Sequence, residues 1–405
     1  VGEGKGHSDE LLHSERMDAL SAEDRNLATA LVMGVLRWQI ALDARVAKLL
    51  ARPEQRLAEP VALVLRMGAF QLLQMDRIPA HAVLNESVEL CRAAGQPHAS
   101  GMVNAVLRKL ATAQKPGTRI FESTAAFAER LGHPLWLVER WAAAYGRNAA
   151  LAICEHAQRE PAAGGFFVDG SAEYLPQMDD GSRLVAEIVA EAMPRVDGRA
   201  ARVWDCCAAP GGKTLMLALR LGETEILATD VSAKRMALMA SRLRRFNYAE
   251  RVKCVVADAA SAAVETMEKF DLILCDVPCS GTGTLARNPE IRHRLQKEEW
   301  ARQAERQSRI LREALGRLAA GGRIIYSTCS LEAEENERVV ERIAKDVGLR
   351  LVAIEPLIAR LAEQGVLRQE VAAGLIGSAV RDGALRTLPG VHGCDGFYAA
   401  VLEWE

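Results

Sequence analysis

From about residue 200 onward, short β-type runs alternate with helical stretches, and that rhythm constrains the fold more than any other feature of the chain. The runs are Val203–Cys206, Glu225–Thr229, Val252–Val256, Leu272–Cys275 and Arg323–Ser327. Leu215–Leu221, Ala233–Phe246 and Glu299–Ala319 read as the helices between them. Strands joined through helices become parallel neighbours, because each crossover returns the chain to the same edge of the sheet. The expected class is therefore α/β, a mainly parallel sheet with helices on both faces. Gly396–Leu402 reads as one more strand, antiparallel and at the sheet edge. Residues 355–391 have a weak pattern that places no element.

Before residue 200 the texture is helical. Leu27, Leu31, Val35, Leu42, Val46 and Leu49 recur at near-helical spacing, and Val61–Gln74, His81–Ala93 and Gly101–Leu110 repeat that character. Pro53, Pro60, Pro79, Gly95 and Pro97 punctuate them. A linker is expected at Lys115–Gly117, followed by a second helical patch, Phe121–Ala157, interrupted near Gly146. The division this gives is a tail at 1–20, an all-α domain at 21–115, a linking helical or mixed subdomain at 116–198 and the α/β domain at 199–405.

Composition removes several classes. The net charge of −2 argues against a chain coated in positive charge for non-specific nucleic-acid binding, while leaving room for a local basic groove. No apolar run reads as long enough to span a bilayer, and residues 1–20 lack the apolar stretch of a signal peptide, so a cytoplasmic protein without a membrane is expected. The 9 cysteines are odd in number and form no paired CxxC units, which disfavours a disulfide framework and a structural zinc. No metal site is expected.

Chemistry concentrates at the strand ends. After the first strand comes Asp205-Cys206-Cys207-Ala208-Ala209-Pro210-Gly211-Gly212-Lys213-Thr214. Pro210 stiffens this turn, and Gly211 and Gly212 remove side chains where a ligand must approach the backbone. The helix that follows offers unpaired N–H groups to an anion such as a cofactor carboxylate. Asp230 ends the second strand, where an acid can accept ribose hydroxyls; Asp258 follows the third, within reach of an adenine amino group; Asp276 ends the fourth. A lone Asp at such a place is more often a helix cap or turn former. Three in succession, in register with a glycine turn, point to a nucleoside-cofactor site.

The fourth strand runs out into Pro278-Cys279-Ser280-Gly281 and the fifth into Thr328-Cys329-Ser330. Buried free cysteine is common and inert, which suits Cys91, Cys154, Cys206, Cys254 and Cys275. Cys279 and Cys329 instead sit among turn residues at the edge that carries the glycine turn. Two thiols facing one cleft suit covalent chemistry on a pyrimidine. A thiolate adding to carbon 6 of cytosine makes carbon 5 nucleophilic enough to take a methyl group. A second thiol-derived base then removes the carbon 5 proton, so that the first thiolate can leave. Asp276 can bond the amino group or ring nitrogen of the base. Thiol chemistry alone leaves the order of the two cysteines open.

These residues resemble the Sun-type family of RNA 5-methylcytosine methyltransferases. The motifs that carry the likeness are Cys207–Thr214, Asp276–Gly283, Ser327-Thr328-Cys329-Ser330 with Glu334-Glu335-Asn336, and Asp395-Gly396-Phe397-Tyr398. His133-Pro134-Leu135-Trp136-Leu137 is similar to a further family motif. The resemblance implies a Rossmann-like domain that uses S-adenosylmethionine, with Cys329 as nucleophile and Cys279 needed for product release. It assigns Cys207, Ala208, Ala209, Pro210, Gly211, Gly212, Lys213, Asp230, Asp258 and Asp276 to the cofactor pocket, with Lys213 paired to Asp276. It implies a NusB-like RNA-binding domain at 21–115, a monomer, and RNA as partner, with small-subunit ribosomal RNA foremost.

Val277 departs from the family's usual Ala. Residues 1–112 hold as many acidic as basic residues, so charge does not mark that domain as an RNA binder. Basic residues after the Pro-Cys loop, Arg287, Arg292, His293 and Arg294, read as phosphate contacts or equally as a solvated helix start. Other readings are a DNA cytosine or amino-group methyltransferase, an enzyme acting on tRNA or another RNA, and a non-catalytic RNA-binding assembly factor. Nitrogen methylation needs no nucleophilic cysteine, and intact Cys279 and Cys329 argue against the assembly factor.

Overall fold

The computed structural model describes residues 11–12, 14–54, 56–112, 122–161, 164–168, 176, 178–261 and 269–405. Lys115–Gly117 and Phe121 lie outside the described residues. The chain forms two compact units. One runs to Glu160 and also takes in Ala286–Arg294; the other comprises Pro161–Leu285 and Leu295–Glu405. The stretch 116–198, expected as one linking subdomain, is therefore shared between the two.

The first unit is all helical. It contains α1 (Ala22–Ala47), α2 (Glu59–Gln74), α3 (Ala80–Ala93), α4 (Ser100–Thr112), α5 (Thr124–Arg130), α6 (Leu135–Tyr145) and α7 (Arg147–His156). Ser21 caps α1 by accepting from Asp24 N, and Pro60 sits in the first turn of α2, where its missing N–H costs nothing. Val35, Leu42, Leu65, Ala69, Val103 and Leu107 meet in its core. By length and composition α1 is apolar enough to cross a membrane, contrary to the expectation of no such run. It is built as a bundle helix: Val35, Leu42 and Val46 are buried in the core, and its charged ends and Arg37 are unlike a lipid-facing segment.

Ala286–Arg294 belongs to this unit through buried polar contacts. Arg292 donates to the carbonyls of Arg37 (3.1 Å), Gly132 (3.1 Å) and Ala157 (3.4 Å). Arg37 in turn donates to the carbonyl of Ala286 at 2.8 Å, and the His293 ring lies 2.7 Å from the carbonyl of Leu36. Burial lowers the Arg292 pKa to about 9, so the guanidinium still carries its charge at neutral pH. The phosphate role expected of Arg292 is thereby corrected. The residue is 2% exposed and its two terminal nitrogens donate to backbone carbonyls. Arg287 and Arg294 are partly buried and already engaged in other contacts.

The second unit is the expected α/β domain. Strands β1 (Ala201–Asp205), β2 (Thr224–Asp230), β3 (Val252–Val256), β4 (Phe270–Asp276) and β5 (Leu318–Thr328) are parallel in the order β3-β2-β1-β4-β5. Helices α8 (Asp180–Glu191), α9 (Gly212–Arg220), α10 (Ala233–Arg245), α11 (Glu299–Leu315) and α12 (Glu337–Val347) cover the faces. The two-residue strand period divides β4 between two cores. Leu272 and Leu274 pack with Leu184 and Ile188, whereas Ile273 and Cys275 pack with Ile310 and Leu311. Such strands read as unbroken apolar runs because both faces are covered.

The last strand departs from expectation. Beyond β6 (Leu349–Val352), β7 (Val380–Arg381) and β8 (Ala384–Arg386), β9 (Tyr398–Trp404) is antiparallel but interior. It pairs with β5 on one side and with β6 and β8 on the other. The unplaced stretch 355–391 supplies α13 (Glu355–Glu363), α14 (Gln369–Ser378) and the β7–β8 hairpin. We expect Arg292→Met to lower the stability of the helical unit by about 2–3 kcal/mol, because buried carbonyls lose their donor. Chemical denaturation of the full chain measures this.

Candidate active site

The glycine turn leaves β1 at Asp205 and enters α9 at Gly212. Gly211 has φ 95°, and a Cβ there would lie 2.6 Å from Cγ of Met239 on α10, so only glycine fits. Ala208 N donates to the carbonyl of Thr229 (2.9 Å) and Ala209 N to the Asp230 carboxylate (3.3 Å), which ties the turn to β2. Thr214 Oγ1 donates to Asp205 Oδ2 at 2.7 Å. Burial pushes the Asp205 carboxyl up to about 7, against the opposing effect of that bond.

The three strand-end acids differ in their surroundings. Asp230 is buried, and its Oδ1 accepts from Ser232 N (2.8 Å) and Arg235 (2.9 Å). It thus serves as a cap as well as a candidate ribose acceptor, and ribose hydroxyls would take the place of the exposed Arg235 side chain. Asp258 is exposed and accepts from Ala260 N at 3.0 Å. Asp276 accepts from Lys213 Nζ and from Ser327 Oγ, each at 2.7 Å. The open glycine turn, the first N–H groups of α9, and Asp230 and Asp258 suit the amino-acid and nucleoside ends of S-adenosylmethionine.

The two cysteines converge. β4 and β5 pair in the register Asp276↔Ser327, so the loops that leave them run side by side. Cys279 Sγ and Cys329 Sγ lie 3.4 Å apart, and both residues are partly exposed free thiols. Cys91, Cys154, Cys206, Cys275 and Cys394 are buried. Burial works against the Lys213 ammonium, but the Asp276 carboxylate outweighs it and raises the pKa, with Cys329 adding to the rise. A lasting positive charge therefore stands close enough to interact with Cys329. The Cys279 thiol is pushed well above the ordinary range by its bond to Cys329, by burial, and by the Glu335 carboxylate.

Glu335 is the site residue that reading the sequence did not single out beyond a shared motif. It is fully buried. Oε1 accepts from Ser280 N (2.9 Å) and Gln307 Nε2 (3.1 Å), and Oε2 accepts from the hydroxyls of Ser280 and Ser330. Gln307 Nε2 also reaches the carbonyl of Pro278 at 3.0 Å, and Asn336 donates to the carbonyl of Ser330 at 2.9 Å. Gly283 N donates to the carbonyl of Cys329 (2.9 Å), while its own carbonyl accepts from Gly396 N (2.8 Å).

Residues 196–403 match the family described as 16S rRNA methyltransferase RsmB/F, and residues 3–112 match the NusB family. The chain belongs to the RsmB/F methyltransferase family and carries a NusB-family domain ahead of the methyltransferase domain. It is 30% identical to the probable ribosomal RNA small subunit methyltransferase B of Bacillus subtilis, over 99% of this chain and 95% of that protein. It is 32% identical to the ribosomal RNA small subunit methyltransferase B of Xanthomonas campestris, over 94% of this chain and 89% of that protein. The solved structure of PH0851 shares the fold, with a TM-score of 0.69 at 21% identity over 95% of this chain and 91% of its own.

A Cβ at Gly283 would lie 2.3 Å from the Gly396 carbonyl oxygen, a backbone atom with little freedom to yield. We expect Gly283→Ala to destabilise the chain by about 1–3 kcal/mol and to slow methyl transfer. Gly374→Ala on α14, where a Cβ meets nothing within 4 Å, is the control and should be neutral or slightly stabilising. Thermal unfolding and single-turnover rates measure both.

Proposed function

We propose that this protein methylates carbon 5 of a cytosine in small-subunit ribosomal RNA through a transient bond between Cys329 and carbon 6. The observation that carries this reading is the pair of thiols 3.4 Å apart beside the Lys213–Asp276 ion pair. S-adenosylmethionine, when bound, supplies the methyl group. The Cys329 thiolate would add to carbon 6 and send an electron pair toward carbon 5, which would take the methyl group as the cofactor's methyl–sulfonium bond breaks and the thioether leaves. Asp276, oriented by Lys213 and Ser327, accepts a hydrogen bond from the amino group of the base. Cys279 assists removal of the carbon 5 proton, after which the bond from Cys329 to carbon 6 breaks and the product leaves.

Cys207–Lys213, Asp230 and Asp258 form the cofactor pocket in this reading. The choice of RNA is supported by relatives named for small-subunit ribosomal RNA that align along nearly their whole length. The helical domain binds RNA, and Arg287 and Arg294 keep the phosphate role that Arg292 cannot fill. The protein works as a monomer in the cytoplasm, where ribosomal subunits are assembled.

Incubating Cys279→Ala with cofactor and small-subunit ribosomal RNA should leave a covalent protein–RNA adduct, visible as a shifted band on a denaturing gel. Cys329→Ala should give neither adduct nor methylated RNA; methylation by that variant would refute the mechanism. Asp230→Ala should weaken cofactor binding about tenfold or more by calorimetry, equivalent to losing roughly 1.4 kcal/mol. Unchanged affinity would remove the ribose assignment.

A further inference from the structure

Helix α10 presents charge of one sign to solvent. Lys234, Arg235, Arg242, Arg244 and Arg245 are all exposed, and no acid occurs between Val231 and Ala249. We propose that this face of α10 is a docking surface for the phosphate backbone of RNA, beside the proposed cofactor pocket. The inference rests on the reading of the substrate as RNA given above, and adds where that RNA runs.

Charge on a helix usually serves only to keep one face in water, and α11 and α12 have that form. Both mix signs, and their exposed arginines are paired: Arg302 with Glu299, Arg312 with Asp346, and Arg338 with Glu334. Helix α10 departs from this pattern. Neither Arg244 nor Arg245 has a side-chain hydrogen bond or an ion pair among the described residues. The helix dipole favours cations at the C-terminal end, which accounts for Arg242, Arg244 and Arg245. The same dipole disfavours Lys234 and Arg235, which stand in the first turn. Neither solvation nor the dipole therefore explains the whole set.

Geometry sets the cations where a strand can follow. Met236, Met239 and Leu243 are buried, and Lys234, Leu238 and Arg245 line the opposite side at helical spacing. The helix rise puts Lys234 and Arg245 about 16 Å apart along the axis. That is room for several phosphates, which repeat about every 3.4 Å along one strand of a duplex. Leu238, 54% exposed, gives the stripe an apolar point on which a sugar or base can rest. Arg235 donates to Asp230 at 2.9 Å and Arg242 to the carbonyl of Pro210 at 3.1 Å, so the helix is fastened to the glycine turn. Phosphate contacts carry no sequence information. This surface supplies affinity and register, and the choice of cytosine lies with other contacts.

The test is binding of small-subunit ribosomal RNA by the full chain across a salt series. Each phosphate contact contributes roughly 0.7–0.9 to the slope of log affinity against log salt concentration. Arg244→Gln/Arg245→Gln should therefore flatten the slope by about 1.4–1.8, and Arg244→Lys/Arg245→Lys should restore most of it. Arg312→Gln/Arg338→Gln removes the same charge from the paired helices and should leave the slope as it is. A dipole role alone would lower thermal stability without moving the slope. An unchanged slope in the α10 variant, or an equal loss in the paired-helix variant, would overturn the proposal. In the wild type, RNA should also shield Arg244 and Arg245 from phenylglyoxal. Full labelling of both arginines in the complex would overturn the proposal without recourse to any variant. Wild-type protein that methylates this RNA but fails either arm loses only the docking surface. Absence of methylation would instead refute the proposed function, so the two failures are told apart.

Discussion

The site depends on the pairing of β4 with β5. Parallel strands release their following loops at the same edge, and the register Asp276↔Ser327 sets those loops level with one another. Cys279 lies three residues beyond Asp276, and Cys329 two beyond Ser327. Their meeting is thus a consequence of strand direction and register. The antiparallel β9 completes the arrangement, because it brings Gly396 against Gly283 and lets two backbones touch where side chains would hold them apart.

Around this frame the polar groups are arranged in two tiers. The outer tier, Lys213, Asp276 and the two thiols, is partly exposed, as a site that must admit a base and a cofactor requires. The inner tier, Glu335, Asn336, Ser330 and Thr328, is buried and bonded mostly to loop backbone or to neighbouring hydroxyls. Water is largely excluded from the inner tier, so charges there act over a longer range than at the surface. Reactive groups on loops gain from such support, since a loop alone would hold a thiol less firmly than a strand does.

Most of the sheet was legible because buried parallel strands announce themselves as unbroken apolar runs, Leu272–Cys275 above all. The strand ends were legible for the same reason, and with them the glycine turn, the acids and both cysteines. Glu335 and Gln307 were not. A glutamate before a helix and a glutamine within one look like solvated residues in sequence, and only the return of α11 and α12 to the β4–β5 edge buries them. Interior placement of β9 was hidden because its covering strands lie in the weakly patterned stretch before it. Arg292 misled for a related reason: Arg-His-Arg suggests phosphate, while the carbonyls it satisfies come from residues more than a hundred positions away.

The helical unit is not continuous in sequence. Its last segment, Ala286–Arg294, is borrowed from between β4 and β5, only a few residues past Cys279. A domain boundary drawn as a single cut near residue 160 would therefore separate Arg292 from the carbonyls it serves and strip a helical fragment of part of its own interior. The NusB-family portion of this chain cannot be treated as a detachable module with the segment left behind. Transplanting it onto another catalytic domain means carrying over Ala286–Arg294 as well.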